Sequence, residues 1–170
     1  MASGKTTFGK ALADKLGTPF IDLDQYIEEK TSKSISQIFT ESGEEGFRKI
    51  EKEFLHSVVD SEPDAIIACG GGTPCFYDNM EFLNSQGVTV FLETSIPILI
   101  NRLLEENLKR PIMSGKTDDE IRHKVLSQLC DRLPHYMEAK MKWHGDDLNS
   151  EEEINANVEN FISSYPSLFR

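Results

Sequence analysis

Long apolar runs are absent from this sequence. The longest, AIIAC and VTVFL, have the length of a β-strand, whereas a membrane-spanning helix needs ~20 consecutive apolar residues. The chain start also has no basic segment followed by an apolar core, which is the pattern of a secretory signal. We therefore expect a cytoplasmic protein that has no membrane partner.

Cysteine and positive charge are scarce. The three cysteines, Cys69, Cys75 and Cys130, are odd in number and widely spaced, which is typical of free thiols in a reducing compartment. The four histidines show no metal-ligand spacing with them, which argues against structural zinc. The net charge of −11 argues against a general nucleic-acid binder, because backbone phosphates reward clustered Lys and Arg. An anionic ligand must therefore be bound by a few individually positioned Lys or Arg side chains rather than by an overall positive charge.

Strand and helix patterns alternate along the chain. PFIDLD, DAIIAC and VTVFLE resemble strands, MKWHG is a candidate edge strand, and amphipathic helical patterns separate them. Residues 25–42 read as short helical pieces, and Ser150 with Glu153 as the capping box of the last helix. The alternation predicts one α/β domain over residues 1–170, a parallel β-sheet sandwiched by helices, with ligands at the carboxyl ends of the strands.

The chain begins with MASGKTT, the second half of a phosphate-binding loop. In the pattern Gly-x-x-x-x-Gly-Lys-Ser/Thr, the first glycine falls two residues before Met1, outside the sequence. Followed by a helix, these residues predict an anion site built from backbone N–H groups, with Lys5 for the β/γ-phosphates and Thr6 as a Mg²⁺ ligand. The alternative is a glycine-containing helix start with a chance Lys-Thr pair.

Asp22 and Asp24 alternate with Leu23 at the end of the strand PFIDLD. In an extended chain both carboxylates point to one side, where they favour a cation or a donor between them. In a phosphoryl-transfer site one can hold Mg²⁺ or its waters while the other meets the acceptor hydroxyl. The alternative is a helix N-cap at Asp24 with Asp22 solvated.

Two further motifs concern the acceptor. FRKIE places Arg48 and Glu51 three residues apart on one helix face, either as a surface ion pair or as an arginine that Glu51 orients to grip a ligand carboxylate. Gly70, Gly71 and Gly72 follow the buried strand DAIIAC. A tight turn needs one or two glycines, so three predict bare backbone that a ligand approaches closely.

Two more arginines are candidates for anion binding. Arg110 lies in the polar segment ENLKRPIMSGKTD, whose Pro and Gly predict a mobile loop. An arginine there can close over a transferring phosphoryl group and stabilise its negative charge, or it is simply solvated. Arg132, in RLPHY at the end of a helix, is a second candidate for binding an anionic substrate.

The order of these motifs resembles the shikimate kinases. GKTT, DLDxxIE (Asp22 to Glu28), FRxxE, GGG, a loop RP and RxPxY follow one another over nearly the whole chain, and their combination is specific although each piece is not. The resemblance implies the nucleoside-monophosphate-kinase-like P-loop fold, with substrate-binding helices over about residues 25–55 and a lid over about residues 106–117. It implies a monomer that phosphorylates the 3-hydroxyl of shikimate with MgATP, on the route through chorismate to the aromatic amino acids.

The resemblance also implies roles, carried over residue by residue. Mg²⁺ is assigned to Thr6 and, through water, to Asp22; Asp24 takes the substrate hydroxyls as base or orienter. The catalytic set is Lys5, Asp24 and Arg110. The substrate-binding set is Asp24, Arg48, Glu51, Gly70, Gly71, Gly72 and Arg132, in which the arginines hold the shikimate carboxylate. The ATP-binding set is Ala2, Ser3, Gly4, Lys5, Thr6, Thr7, Arg102 and Arg110, in which Arg102 is a candidate to stack on adenine.

The sequence departs from the family in two places. GDDLNS stands where the family often carries an Arg and a Pro near the adenine loop. The second departure is that the first loop glycine and the strand before it are not in the sequence. The family's loop commonly has a Met at the position of Met1. We expect the natural polypeptide to begin about ten residues earlier, with an apolar strand and a glycine two positions before Met1.

Two rival functions stay open at this point. One is another small-molecule kinase of the same fold, such as a gluconate kinase; the paired aspartates, the FRxxE motif and the triple glycine argue against it, since they favour a polyhydroxy-carboxylate site. The other is a nucleotide-binding regulator without catalytic activity. The presence of Lys5, Thr6, Asp24 and Arg110 argues against it.

Overall fold

The computed structural model describes residues 2–109 and 117–169. Over these residues the chain is α/β, as predicted, with seven α-helices and four short β-strands. The helices are α1 (Lys5–Leu16), α2 (Leu23–Thr31), α3 (Ile35–Ser61), α4 (Asn79–Gln86), α5 (Ile96–Lys109), α6 (Asp118–Tyr136) and α7 (Glu151–Ser164). The strands are β1 (Phe20–Asp22), β2 (Ile66–Ala68), β3 (Val90–Glu93) and β4 (Met141–His144), and 3₁₀ turns cover Thr73–Cys75 and Pro166–Phe169.

Local signals explain where the helices begin and end. α1 starts after Gly4 and stops at Gly17, whose φ angles of 88° and 68° lie in the left-handed region that favours glycine. α3 starts after its N-cap Ser34, whose hydroxyl accepts the backbone N–H of Gln37 while the Gln37 side chain accepts the backbone N–H of Ser34. These two helices frame the ends of the strands where the candidate site lies.

One local prediction was confirmed and two were wrong in detail. Residues 25–42 are short helical pieces, as predicted, because α2 ends at Thr31, α3 begins at Ile35, and the backbone leaves helical geometry at Gly43, with φ of 67°. The segment expected as a loop from residue 106 begins as the last turn of α5, and the rest of the expected lid, residues 110–116, lies outside the described residues. Ser150 does cap α7, but the Glu153 carboxylate accepts from the backbone and side chain of Asn149, which offers it two donors.

The four strands form two separate parallel ribbons. β1 pairs with β2, and β3 pairs with β4, each pair in regular parallel register. Within the described residues no ladder joins β2 to β3, although one continuous sheet was expected. Between them lies a cavity of about 690 Å³. Its apolar walls include both facing strands, α1 and the C-terminal segment, among them Phe8, Leu12, Ile66, Ile67, Val90, Phe91, Leu92, Phe161 and Phe169.

Three apolar clusters hold the helices in place. The first joins α1 to α7 and β3 through Phe8, Leu12, Leu92, Leu148, Val158 and Phe161. The second packs α2 against α3 through Leu23, Ile27, Ile38, Phe47 and Leu55. The third packs α5 against α6 through Leu99, Ile100, Ile121 and Val125. The α2–α3 unit therefore has its own apolar core beside the strands, and this fixes the side chains that α3 sends toward the candidate site.

None of the helices in the described ranges is both long and apolar enough to span a bilayer.

Candidate active site

The start of α1 is shaped as an anion site. Gly4 precedes the helix in the left-handed conformation, and a Cβ there would lie 2.6 Å from Leu148 Cδ1, so both the backbone angle and the space require glycine. Just upstream, the Ser3 carbonyl accepts the hydroxyl of Thr94 at 3.1 Å. The free N–H groups at the start of α1 give this point a partial positive charge. Thr7, assigned to ATP by the resemblance, is exposed on the first turn.

Thr6 and Asp22 meet beside this helix start. The Thr6 hydroxyl donates to Asp22 Oδ2 at 2.8 Å, although the two residues belong to α1 and β1. Asp22 is also the N-cap of α2, because its Oδ1 accepts the backbone N–H of Gln25 at 3.4 Å. The structure therefore brings together the two residues predicted to serve a divalent cation, and holds the carboxylate by its backbone role.

The extended-chain interpretation of Asp22 and Asp24 was wrong. β1 ends at Asp22, and Asp24 lies in the first turn of α2. Asp22, rather than Asp24, is the N-cap, so the alternative interpretation was wrong as well. The reason is that the carboxylate of Asp22 captures an N–H of the next turn, which ends the strand one residue after Ile21. Both carboxylates nevertheless line the same pocket.

That pocket has a volume of about 240 Å³ and receives side chains from separate elements. Its floor is the end of β2 with the first glycines, and its charged walls come from α1, β1, α2 and α6. The lining residues are Lys5, Thr6, Asp22, Asp24, Ala68, Cys69, Gly70, Gly71 and Arg132. It lies at the carboxyl ends of β1 and β2, where ligands bind in parallel α/β sheets.

The charges in this pocket perturb one another. Burial raises the pKa of the Asp24 carboxyl above its ordinary range, and the neighbouring carboxylates of Asp22 and Glu51 raise it further. Burial lowers the pKa of the Lys5 ammonium, while the carboxylates of Asp24 and Asp22 act in the opposite direction. Burial also raises the pKa of the Cys69 thiol to about 12, which keeps it protonated and unreactive. A carboxylate whose pKa is raised is a better proton acceptor near neutral pH.

Arg48 and Glu51 form a buried pair, not a surface one. Arg48 Nη1 donates to Glu51 Oε2 at 2.7 Å, and the two residues are 7% and 1% exposed. Arg48 Nη2 also reaches Glu44 at 3.3 Å, and the guanidinium lies over the ring of Phe76 at 4.1 Å. The Nε group of Arg48 is buried without a partner in the described residues. A cation held in this way still has a donor to offer to a ligand.

The triple glycine is approached closely by protein side chains. A Cβ on Gly70 would lie 3.0 Å from Asp24 Oδ1, and one on Gly72 would lie 2.4 Å from Arg48 Nη2. The carbonyl of Gly71 accepts the hydroxyl of Tyr136 at 2.5 Å. Bare backbone is therefore needed here to let the acid and the arginine reach the same wall of the pocket.

α6 supplies the second arginine. Arg132 lines the pocket from α6, one turn before Tyr136, and its positive charge partly offsets the rise that burial causes in the pKa of Tyr136. Because Tyr136 also holds Gly71, the end of α6 is anchored to the glycine turn. Arg132 is thus brought to the same pocket as Asp24, as predicted.

Arg102 lies on α5 and contacts the loops around the helix start. Its guanidinium donates to the carbonyls of Gly145 at 3.0 Å and Asp146 at 2.9 Å, and reaches the Ala2 carbonyl at 3.5 Å. Arg110, the predicted lid arginine, lies outside the described residues. Of the predicted residues that the structure describes, the substrate-binding and metal sets converge on one pocket or its rim.

Sequence reasoning missed Thr73 and Phe76. The Thr73 hydroxyl donates to Glu51 Oε1 at 2.7 Å, and Phe76 forms the face on which Arg48 stacks. Both follow the triple glycine, but their partners lie more than twenty residues away on α3. A threonine in TPC carries no local signal of such a contact.

Comparison with known proteins agrees with this arrangement. The sequence profile described as shikimate kinase matches residues 1–163. A shikimate kinase from Bacteroides thetaiotaomicron is 46% identical over 159 residues, which are 94% of this chain and 90% of that protein. The crystal structure of a shikimate kinase from the same species has a TM-score of 0.89 at 43% identity, covering 98% of this chain and 94% of that one. A shikimate kinase from Acinetobacter baumannii, solved in complex with shikimate, has a TM-score of 0.81 at 29% identity, covering 98% and 89%. The chain belongs to the shikimate kinase family.

Proposed function

We propose that this protein transfers the γ-phosphoryl group of ATP to the 3-hydroxyl of shikimate. The observation that carries the proposal is the pocket of about 240 Å³, where a phosphate-loop lysine, a Thr–Asp pair, an aspartate of raised pKa and an arginine converge. Each of these groups serves phosphoryl transfer to an alcohol, and Arg48 beside them is suited to a carboxylate.

On the nucleotide side, Lys5 and the N–H groups at the start of α1 bind the β- and γ-phosphates. Thr6 and Asp22 are suited to Mg²⁺, since a hydroxyl and a carboxylate 2.8 Å apart are hard oxygen ligands. The residues that the structure describes contain no group of three His, Cys, Asp or Glu side chains arranged to hold a metal ion by themselves. Mg²⁺ would therefore be held by these two residues with phosphate and water oxygens, and when bound it neutralises the negative charge that develops on the phosphates.

On the acceptor side, Asp24 accepts the proton of the reacting hydroxyl or orients it. Its raised pKa and its position between Lys5 and the Gly70 backbone suit this role. Arg48, held by Glu51, and Arg132 bind the carboxylate of shikimate from two sides of the pocket. The backbone of Gly70, Gly71 and Gly72 forms the wall against which the ring lies.

Arg102 is proposed to act near adenine, next to the loop GDDLNS, because its guanidinium already lies on the carbonyls of Gly145 and Asp146. Arg110 is proposed to close over the transferring phosphoryl group. A cytoplasmic monomer is proposed on sequence grounds, and size-exclusion chromatography with light scattering tests the oligomeric state.

A coupled ADP-release assay tests the proposal and its rivals. ADP release with shikimate and ATP is expected, at a rate far above that with gluconate. Release with gluconate instead would favour the small-molecule kinase of other specificity. Tight ATP binding without ADP release on any hydroxy acid would favour a regulator that binds nucleotide only.

A further inference from the structure

Glu51 is a buried carboxylate whose two oxygens have different partners. Oε2 accepts from Arg48, whereas Oε1 accepts from the hydroxyl of Thr73, each at 2.7 Å. Glu51 is 1% exposed and Thr73 is 0% exposed, so water cannot replace either donor. A buried carboxylate needs a hydrogen-bond donor at each oxygen, and Thr73 supplies the donor for the oxygen that Arg48 does not reach.

Thr73 is itself fixed by the turn that follows the glycines. Its backbone N–H donates to the Gly70 carbonyl at 3.1 Å, and its own carbonyl accepts the side-chain amide of the buried Asn79 at 2.9 Å. The hydroxyl is therefore presented to Glu51 from a rigid 3₁₀ turn. A chain of contacts runs from Asn79 through Thr73 and Glu51 to Arg48.

Arg48 has a second carboxylate within reach. Glu44, one turn earlier on α3, accepts from Nη2 at 3.3 Å, and its side chain is 62% exposed. If the Glu51 carboxylate turned away, Glu44 would be the carboxylate left to hold the guanidinium, at the exposed end of the pair. The inward position of Arg48 against Gly72 and Phe76 therefore depends on the orientation of the Glu51 carboxylate.

We propose that Thr73 is a positioning residue for the carboxylate-binding arginine: its hydroxyl saturates Glu51, and Glu51 thereby holds Arg48 inward, where it meets the substrate. This rests on the proposed function for the identity of the ligand. The part of the proposal that concerns the orientation of Arg48 is independent of that function, because the orientation can be measured without any substrate.

The binding experiment compares two substitutions at one position in the full 170-residue chain. Thr73→Ser keeps the hydroxyl, whereas Thr73→Val keeps the shape and removes it. The dissociation constant for shikimate, measured by calorimetry, is expected to rise about tenfold in Thr73→Val and to change less than about twofold in Thr73→Ser, with ATP affinity unchanged in both. Thr89→Val is the matched control, since its hydroxyl bonds Asn84 away from the pocket.

An analogue of shikimate that lacks the carboxylate completes the test. Its affinity is expected to be the same in wild type and in Thr73→Val, because Arg48 no longer has a ligand group to meet. Equal losses for Thr73→Ser and Thr73→Val, equal losses for shikimate and ATP, or an unchanged affinity for shikimate in Thr73→Val would each overturn the proposal.

A second measurement separates this inference from the proposed function. In nuclear magnetic resonance spectra of the ligand-free protein, a clamped Arg48 guanidinium gives resolved Nη proton signals, and a released one gives averaged signals. We expect resolved signals in wild type and Thr73→Ser and averaged signals in Thr73→Val. If wild type binds no shikimate, the proposed function fails while this result still decides the role of Thr73; identical Arg48 signals in all three proteins would refute that role.

Discussion

The cavity between β2 and β3 leads to a prediction about stability. It separates two parallel ribbons, its walls are apolar, and Ser3, just ahead of α1, belongs to its lining. A strand fused ahead of residue 1 would enter this cavity and continue directly into the phosphate loop. We predict that a five-residue apolar, β-branched strand, joined through a loop that carries the missing glycine, stabilises the protein and tightens ATP binding.

The cavity volume sets the expected magnitude. At about 24 cal/mol per Å³, filling all 690 Å³ would be worth about 17 kcal/mol. Ordering five residues costs about 5–10 kcal/mol, at about 1–2 kcal/mol for each residue. Since part of the volume is open to solvent, we take at least about 5 kcal/mol as the expected gain in the free energy of unfolding. That corresponds to a rise of at least about 10 °C in Tm.

Urea unfolding followed by fluorescence measures this gain. Trp143, the single tryptophan, lies on β4 beside β3 and reports on the ribbon that borders the cavity. The matched control carries an extension of equal length in which proline occupies alternate strand positions, because proline cannot donate to the ladder. Equal unfolding midpoints for the two extended proteins would show that no strand enters the cavity, and the reasoning would fail.

Three substitutions test the pocket. Asp24→Asn should cut turnover by ~10²-fold or more with ATP binding intact, and wild-type turnover would exclude its role. Because burial raises the pKa of Asp24, its neutral form contributes to the free energy of unfolding. This contribution is fully present below the ordinary aspartate pKa of 3.8 and is lost as the pH rises through the pKa of the folded protein. Asp24→Asn should therefore unfold at higher urea than wild type at neutral pH, with no difference in acid. Arg48→Lys should weaken the binding of shikimate but hardly that of the analogue without a carboxylate, because an ammonium lacks the planar fork of a guanidinium. If the losses from the substitution and from removing the ligand carboxylate were fully additive, Arg48 would not contact the carboxylate directly. Gly72→Ala should weaken shikimate binding by about tenfold or more, since its Cβ would lie 2.4 Å from Arg48 Nη2, whereas Gly87→Ala, which meets nothing within 4 Å, should be neutral; equal effects would refute the close-approach argument.

Local patterns were sufficient to predict most helices and strands. The apolar face of α3 was visible because Phe47, Leu55 and Val58 recur at helical spacing, and all three are buried. Gly17 marked the end of α1 correctly, because its left-handed backbone is a strictly local requirement. The end of β1 was missed since strand alternation and N-capping compete at Asp22, and only the geometry of the following turn decides between them.

Contacts between distant residues could not be predicted from one sequence. The Arg48–Glu51 pair was found because its members are three residues apart on one helix, but its burial depends on Phe76 and on the glycine turn. Likewise, nothing in the sequence near Arg102 indicates that its partners are carbonyls about 40 and 100 residues away.

The contacts of Arg102 have an energetic consequence. One guanidinium holds the carbonyls of Ala2, in the phosphate loop, and of Gly145 and Asp146, in the loop before α7. A ligand that moves either loop changes the hydrogen bonds available to the other, so the two loops share one coupling free energy. Adenosine and triphosphate, offered as separate fragments, should then bind cooperatively or competitively but not independently. By reciprocity, each fragment would change the affinity of the other by the same factor.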